Sequence, residues 1–252
     1  MSETIEELMK WTATEDRPLI KYYYNLVQHT DEWLSARKGI ITASVMGELL
    51  SKKTDKKTGE VTYTVPDTEK NRSYLFQLAS ERLYPELGEH FMTYAMERGI
   101  KDEVDAFNVY SQRYEPLKSC GFITNEEHGV LLGFSPDGLT AMHDDGQTET
   151  KSRAPKFQVE TLYKDEMPDD YMIQIQTGLI VTKRKWCDFI SYCGGAEMFK
   201  TRIESDAFIQ DEIIKAAQQA EAQIQSIVST VQENIKKHGF ILTEKRVEDI
   251  TA

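Results

Sequence analysis

No apolar run in this 252-residue chain reaches the length needed to cross a bilayer, so a membrane-spanning protein is not expected. Cysteine is scarce. Cys120, Cys187 and Cys193 are an odd number without a Cys-x-x-Cys pair, which argues against structural zinc, an iron–sulfur cluster or a disulfide framework and for a reducing cytoplasm. The opening MSETIEELMKW is acidic and lacks the basic-then-apolar layout of a signal peptide, so a cytoplasmic location is expected. A Gly-rich phosphate loop of the Walker type is missing, which argues against an ATPase motor. Internal repeats and low-complexity segments are missing too. Excess positive charge is also lacking: 30 Lys and Arg stand against 42 Asp and Glu, a net charge of −12. That sign is wrong for a protein gripping a phosphate backbone over its whole surface. Patches matter more than the sum, and positive charge does cluster. Lys52, Lys53, Lys56 and Lys57 share one loop, Lys151, Arg153 and Lys156 lie close together, and Lys183, Arg184 and Lys185 are consecutive. Each run taken singly reads as a solvated loop. Together they would suit an acidic exterior around a locally basic channel.

The chain is organised around Ser135 to Arg153, SPDGLTAMHDDGQTETKSR. Two alternating stretches flank Asp144-Asp145-Gly146, whose Asp-Gly pair favours a tight hairpin. Asp137 begins the first arm. Glu149 and Lys151, two apart on the second, point to the same face. Closing the hairpin would bring two carboxylates and an ammonium together. Two carboxylates suit Mg²⁺, a hard cation that prefers oxygen and keeps several waters. Such an ion polarises a phosphodiester and helps ionise a water, which a neighbouring lysine can orient. The plain alternative is a surface hairpin with a Glu-x-Lys pair, so the rest of the chain must carry weight.

Taken in order, residues 4–12 and 18–28 read as short helices, the second holding Tyr22, Tyr23 and Tyr24. Thr42 and Ser44 are N-cap types ahead of Val45, Met46, Leu49 and Leu50, and Arg37 stands just before them. An arginine beside a helix start can make a phosphate site; the alternative is a capped helix with a surface arginine. Residues 51–66 read as a polar loop with room for a small hairpin, and 67–83 as a helix. A longer helix over 89–114 carries an apolar stripe through Met92, Met96, Gly99, Ala106, Phe107 and Tyr110. Glu103 falls on that stripe, where a carboxylate needs a partner or a metal unless it sits at the rim. Strands are expected over 121–124, 130–134, 186–193 and 198–203, and a short helix over 157–163. A further helix opens at Met167-Pro168-Asp169-Asp170 with proline and acids in its first turn. Tyr171, Gln174 and Gly178 form one face of it; Gln174 can bond a catalytic group or a phosphate, and a mid-helix Gly178 implies a close approach. Residues 207–237 form a long amphipathic helix. A mixed sheet flanked by helices, α/β or α+β, fits this order.

The blocks WLSARKGIITAS (33–44), Gly99 to Glu103, SPDGL (135–139), ETK (149–151) and YMIQIQTGLIVT (171–182) together resemble the lambda-exonuclease family, the YqaJ-like viral recombinases among the PD-(D/E)xK nucleases. They span nearly the whole chain, in the family's order and at comparable spacings. The resemblance implies a restriction-endonuclease-like fold over 1–252 as one nuclease domain, with its core at about 90–205. Asp137 and Glu149 would ligate Mg²⁺ (Mn²⁺ as a substitute, two ions per site), with the main-chain carbonyl of Thr150 and the carboxylate of Glu103 as further ligands. Lys151 would position the attacking water and Gln174 support the site. Arg37, Ser44 and Ser135 would hold the terminal 5′-phosphate. Met96 falls near the family's apolar wedge, although core packing weighs more there. Asp102 departs from the family by adding negative charge beside the metal, and residues 51–66 do not align, so their groove contacts do not transfer.

The implied activity is a 5′→3′ exonuclease on linear double-stranded DNA that releases mononucleotides and leaves a 3′ overhang. A homotrimeric ring around DNA, a single-strand annealing recombinase as partner, and a phage or prophage gene acting in the bacterial cytoplasm belong to the same expectation. An endonuclease of the same fold and an inactive DNA-end-binding protein are the alternatives. An intact Asp137, Glu149 and Lys151 set counts against the inactive form.

Overall fold

The computed structural model describes residues 18–59, 61–87 and 93–245. The expected helix over 4–12 and the stripe residue Met92 lie outside them. The stretch expected as a helix over 18–28 is instead strand β1 (Ile20–Tyr23) followed by a turn. Its aromatic run fits a pleated, half-buried surface better than a helix. Helix α1 (Asp31–Arg37) follows, with the Thr30 side chain accepting from the Trp33 N–H and Asp31 and Glu32 in its first turn. A short strand β2 (Ile41–Thr42) leads into α2 (Ala43–Leu49). The polar stretch after it does fold as a hairpin, β3 (Ser51–Thr54) against β4 (Val61–Thr64). Thr68 and Thr93 cap α3 (Glu69–Leu83) and α4 (Tyr94–Arg113) with their hydroxyls.

Strands β5 (Leu117–Lys118), β6 (Phe122–Asn125), β7 (Leu132–Phe134), β8 (Gly138–Thr140) and β9 (Gly146–Ser152) come next. Helix α5 (Pro155–Lys164) and a 3₁₀ turn at Asp169–Tyr171 precede α6 (Met172–Thr182). Strands β10 (Trp186–Tyr192) and β11 (Phe199–Glu204) lead into the long helix α7 (Ala207–His238), which Asp206 caps and Gly239 ends in a left-handed conformation at φ 64°.

The mixed α/β architecture is the expected one, with the strands other than the β3–β4 hairpin divided between two larger sheets. One runs β1-β6-β7-β2 and the other β11-β10-β9-β8-β5. Both are mixed: β2 pairs parallel with β7, and β9 pairs parallel with β10 between antiparallel neighbours. The main core lies where α2, α3, α6 and α7 meet the first sheet, around Ile41, Met46, Leu75, Ile123, Leu132, Val181, Ile213 and Ile224. Arg82 of α3 ties this core to the loop after α1. Its guanidinium donates from Nη1 and Nη2 to both Glu221 oxygens at 2.7 Å and from Nε to the Gly39 carbonyl at 2.8 Å.

The hairpin expected around Asp-Gly forms, with Gly138 opposite Thr148, but not as a tight turn. Five residues connect β8 to β9, and Gly146 has no positive φ. A Cβ on Gly146 would lie 2.1 Å from the Trp186 ring, so glycine is required here by packing. Arg184, expected in a solvated basic run, is buried beneath the loop and donates to the Gly146 carbonyl at 2.5 Å and to Asp144 at 3.1 Å. Met96, assigned mainly to core packing, is 54% exposed. The helix turns it outward, while Ala106 and Tyr110 face the sheet.

Candidate active site

Strand β9 is the middle strand of its sheet, and its buried face is polar. Gln147, Glu149 and Lys151, spaced two apart, all meet α6. Thr182 donates to Gln147, and Gln174 lies against Glu149 and Lys151. Gly178 sits between these contacts, and a Cβ there would lie 2.9 Å from both Gln147 Nε2 and the Phe134 ring. The close approach implied by a mid-helix glycine is therefore that of side chains from β9 and β7, one from each sheet.

One cavity of about 160 Å³ opens over the end of this ladder. Its walls hold all the residues assigned to the site from sequence: Asp137, Glu149, Thr150, Lys151, Glu103 and Gln174, together with Arg37, Ser44 and Ser135. Lys151 Nζ lies 2.7 Å from Glu149 Oε1 and donates to Gln174 Oε1 at 3.2 Å. Gln174 Nε2 donates to the same Glu149 oxygen at 2.6 Å. The Thr150 N–H donates to Asp137 Oδ2 at 2.5 Å, fixing the carboxylate that precedes β8 against β9.

Three acids share one ammonium here. Burial, then the charges of Glu149 and Glu103, push Asp137 well above the usual carboxylate range. Burial followed by the Glu149 charge raises Glu103 to about 7. Burial works against the charged form of Lys151, but Glu149 and Asp137 overcome it and hold the ammonium above its ordinary value. The site is thus short of positive charge. The buried Glu149 Oε2 finds no hydrogen-bond partner among the described residues, in a place where an unpaired oxygen is costly. No three His, Cys, Asp or Glu side chains among the described residues close up as a complete metal cage. Mg²⁺ does not need one, because it binds through one or two carboxylates and keeps waters or phosphate oxygens for the rest. The orphaned Glu149 oxygen, beside the raised carboxyl of Asp137, fits such an ion.

The other wall is built from aromatic and cationic groups. Arg37 lies over the Trp33 ring at 4.0 Å, and burial lowers it to about 10. It has no hydrogen-bond acceptor among the described residues. Trp33 Nε1 donates to the Gly121 carbonyl at 2.9 Å and to Ser135 Oγ at 3.0 Å, while Ser44 pairs with Thr42 at 3.1 Å. Thr42 therefore begins α2 without a side-chain bond to its backbone.

Gln28, His29 and Trp33 also line the cavity, without a role expected from the sequence. Trp33 stands inside a motif block, which was a usable signal. Gln28 ends the stretch expected as helix, which hid it, and His29 follows directly in a turn.

A profile of the YqaJ-like viral recombinase domain matches residues 32–185, more than half of the sequence. The chain belongs to that family. Among solved structures it is similar to an alkaline exonuclease, LHK-Exo, from Laribacter hongkongensis, with a TM-score of 0.70 and 26% identity over 83% of this chain and 100% of that one. The structure of LHK-Exo in complex with dAMP superposes with a TM-score of 0.69, at the same identity and coverage. A phage related exonuclease from Haemophilus somnus 129PT shares the fold at a TM-score of 0.54 and 12% identity, over 76% of this chain and 96% of that one. No curated protein matches the sequence.

Proposed function

We propose that this protein is a Mg²⁺-dependent 5′→3′ exonuclease on linear double-stranded DNA, releasing mononucleotides and leaving a 3′ single strand for recombination by annealing. One observation carries the reading: the acid–lysine cluster and Arg37, which has no hydrogen-bond acceptor among the described residues, line the same small cavity. A terminal phosphate held by one wall places the next phosphodiester near the other, which suits digestion from an end. The alkaline exonuclease likeness, and the dAMP complex of that enzyme, support the same reading.

In this reading Asp137, Glu149, Glu103 and the Thr150 carbonyl would hold the metal, two ions per site. The bound metal supplies Lewis-acid stabilisation of the phosphodiester and a more acidic water. Lys151 orients that water and offsets charge as the bond breaks. Gln174 keeps Lys151 and Glu149 in register by bonding both. Arg37, Ser44 and Ser135 bind the 5′-phosphate, Ser135 being aimed by Trp33. A homotrimeric ring and a single-strand annealing partner are part of the proposal. A basic inner wall would reconcile DNA binding with a net charge of −12.

The test compares linear duplexes that differ only in a 5′-phosphate or 5′-hydroxyl, with Mg²⁺ or EDTA, and a closed circle as control. Phosphate-stimulated, EDTA-blocked resection from 5′ ends is expected. Cleavage of closed circles would favour an endonuclease of this fold, and end binding without cleavage an inactive end-binding protein.

A further inference from the structure

The exonuclease reading leaves His29 without a task, yet the chain goes to some length to place it. Its backbone is left-handed at φ 68°, a conformation glycine adopts freely and most side chains avoid. Its neighbours are fastened on both sides. Gln28 Nε2 donates to the Pro136 carbonyl at 2.9 Å and the Cys120 carbonyl at 3.2 Å, which ties the turn to the residue before Asp137. Thr30 donates to the Val27 carbonyl at 2.8 Å and accepts from the Trp33 N–H, which ties the turn to α1. Between these anchors the imidazole projects into the cavity. There its ring lies 5.3 Å from that of Trp33, and Nε2 lies 3.5 Å from Glu103 Oε2. His29 is thus the side chain that touches both walls: Trp33, which carries Arg37 and Ser135, and Glu103, which stands among the acids. A side chain held in an uncommon backbone conformation at a pocket is a reason to look for function.

We infer that His29 is a positioning residue that links the phosphate-binding wall to Glu103, so that seating a terminal 5′-phosphate sets the Glu103 carboxylate for cleavage. The inference rests on the exonuclease reading. In it, Arg37 drawing onto a phosphate moves with Trp33, the His29 ring follows the indole, and Nε2 closes the 3.5 Å gap to Glu103. The residue acts through Glu103 and needs no contact with the scissile bond.

The test uses the full chain with His29→Gly, His29→Asn, Glu103→Gln and the His29→Gly/Glu103→Gln double variant. His29→Gly is expected to melt at or above the wild-type temperature, because glycine fits the left-handed backbone. At saturating Mn²⁺, its single-turnover rate on 5′-phosphorylated duplex should fall about ten-fold, while the 5′-hydroxyl rate stays within about two-fold, so the preference for phosphate collapses. Calorimetric Mn²⁺ binding without DNA should weaken by about ten-fold in His29→Gly, as when a partner of a metal ligand is lost. His29→Asn, which tolerates this backbone and keeps a donor, should recover part of both. The double variant should be no slower than Glu103→Gln alone. A His29→Gly protein with wild-type phosphate preference and Mn²⁺ affinity, or losses that multiply in the double variant, overturns the inference while leaving the exonuclease reading intact. Full activity in Glu103→Gln overturns the role given to Glu103 and this inference together.

Discussion

Two buried carboxylate clusters lie on neighbouring strands and are treated in opposite ways. On β10, Asp188 accepts from Tyr110 at 2.7 Å, from Arg202 at 2.8 and 3.0 Å, and from Lys200 at 3.1 Å. Burial works to raise its carboxyl, but the bonds from Arg202, Tyr110 and Lys200 prevail and hold it below the ordinary value. On β9, one residue along in the pairing, Glu149 shares Lys151 with Asp137 and Glu103 and keeps one oxygen unbonded among the described residues. The Asp188 cluster is complete as it stands. The Glu149 cluster has an excess of negative charge that the protein does not neutralise. A buried charge that serves the fold comes with its partners, whereas one that serves chemistry is left wanting the ligand.

The largest effect should come from the incomplete cluster. Asp137→Asn and Lys151→Ala are each expected to lower linear-duplex digestion by about 10³-fold or more, since each removes a group proposed to meet the metal or the water. Their stabilities should split. Asp137→Asn relieves like-charge repulsion and should raise the metal-free melting temperature. Lys151→Ala strands Glu149 and should lower it. Digestion at the wild-type rate by either variant would end the catalytic reading of the hairpin.

The complete cluster should show the reverse. Asp188→Ala leaves Lys200 and Arg202 without their shared acceptor and should cost about 3 kcal/mol of folding free energy. Digestion by the protein that remains folded should stay near wild type. Denaturant unfolding and a rate normalised to folded protein check both halves. A stable but inactive Asp188→Ala protein would erase the distinction between the two clusters.

How much could be read in the sequence follows the same division. Glu149 and Lys151 were legible because a period of two sends them to one side, and Asp137 because the hairpin returns it there. Glu103 stood out as an acid on an apolar stripe. Arg37 and Ser44 were visible as a cation and a hydroxyl at a helix start, although the capping bond itself did not form. Long-range packing was not legible. Arg184 looks like one of three surface cations, and only the loop between β8 and β9 shows it buried. Gly146 looks like a turn residue, and only Trp186, forty positions on, explains it. His29 carries no local signal at all, because a single residue in a turn has no period from which a φ of 68° could be inferred.

The smallest effect belongs to proton linkage in the incomplete cluster. Folded Glu103 holds its proton up to about pH 7, above its ordinary value of 4.5. Between those values the native state binds a proton that the unfolded chain has released. Metal-free stability should therefore fall as pH rises through that window and level off above it. Asp137, also raised, adds to the same slope. Glu103→Gln should flatten part of this fall and make the metal-free protein more stable than wild type near pH 8. Saturating Mg²⁺ should oppose the fall in wild type, because an ion that binds the deprotonated carboxylates stabilises the form that high pH creates. Melting curves across pH 5 to 8, with and without Mg²⁺, read both effects. A metal-free stability that climbs with pH would mean that the three acids are better paired than their surroundings indicate, and the contrast with Asp188 would disappear.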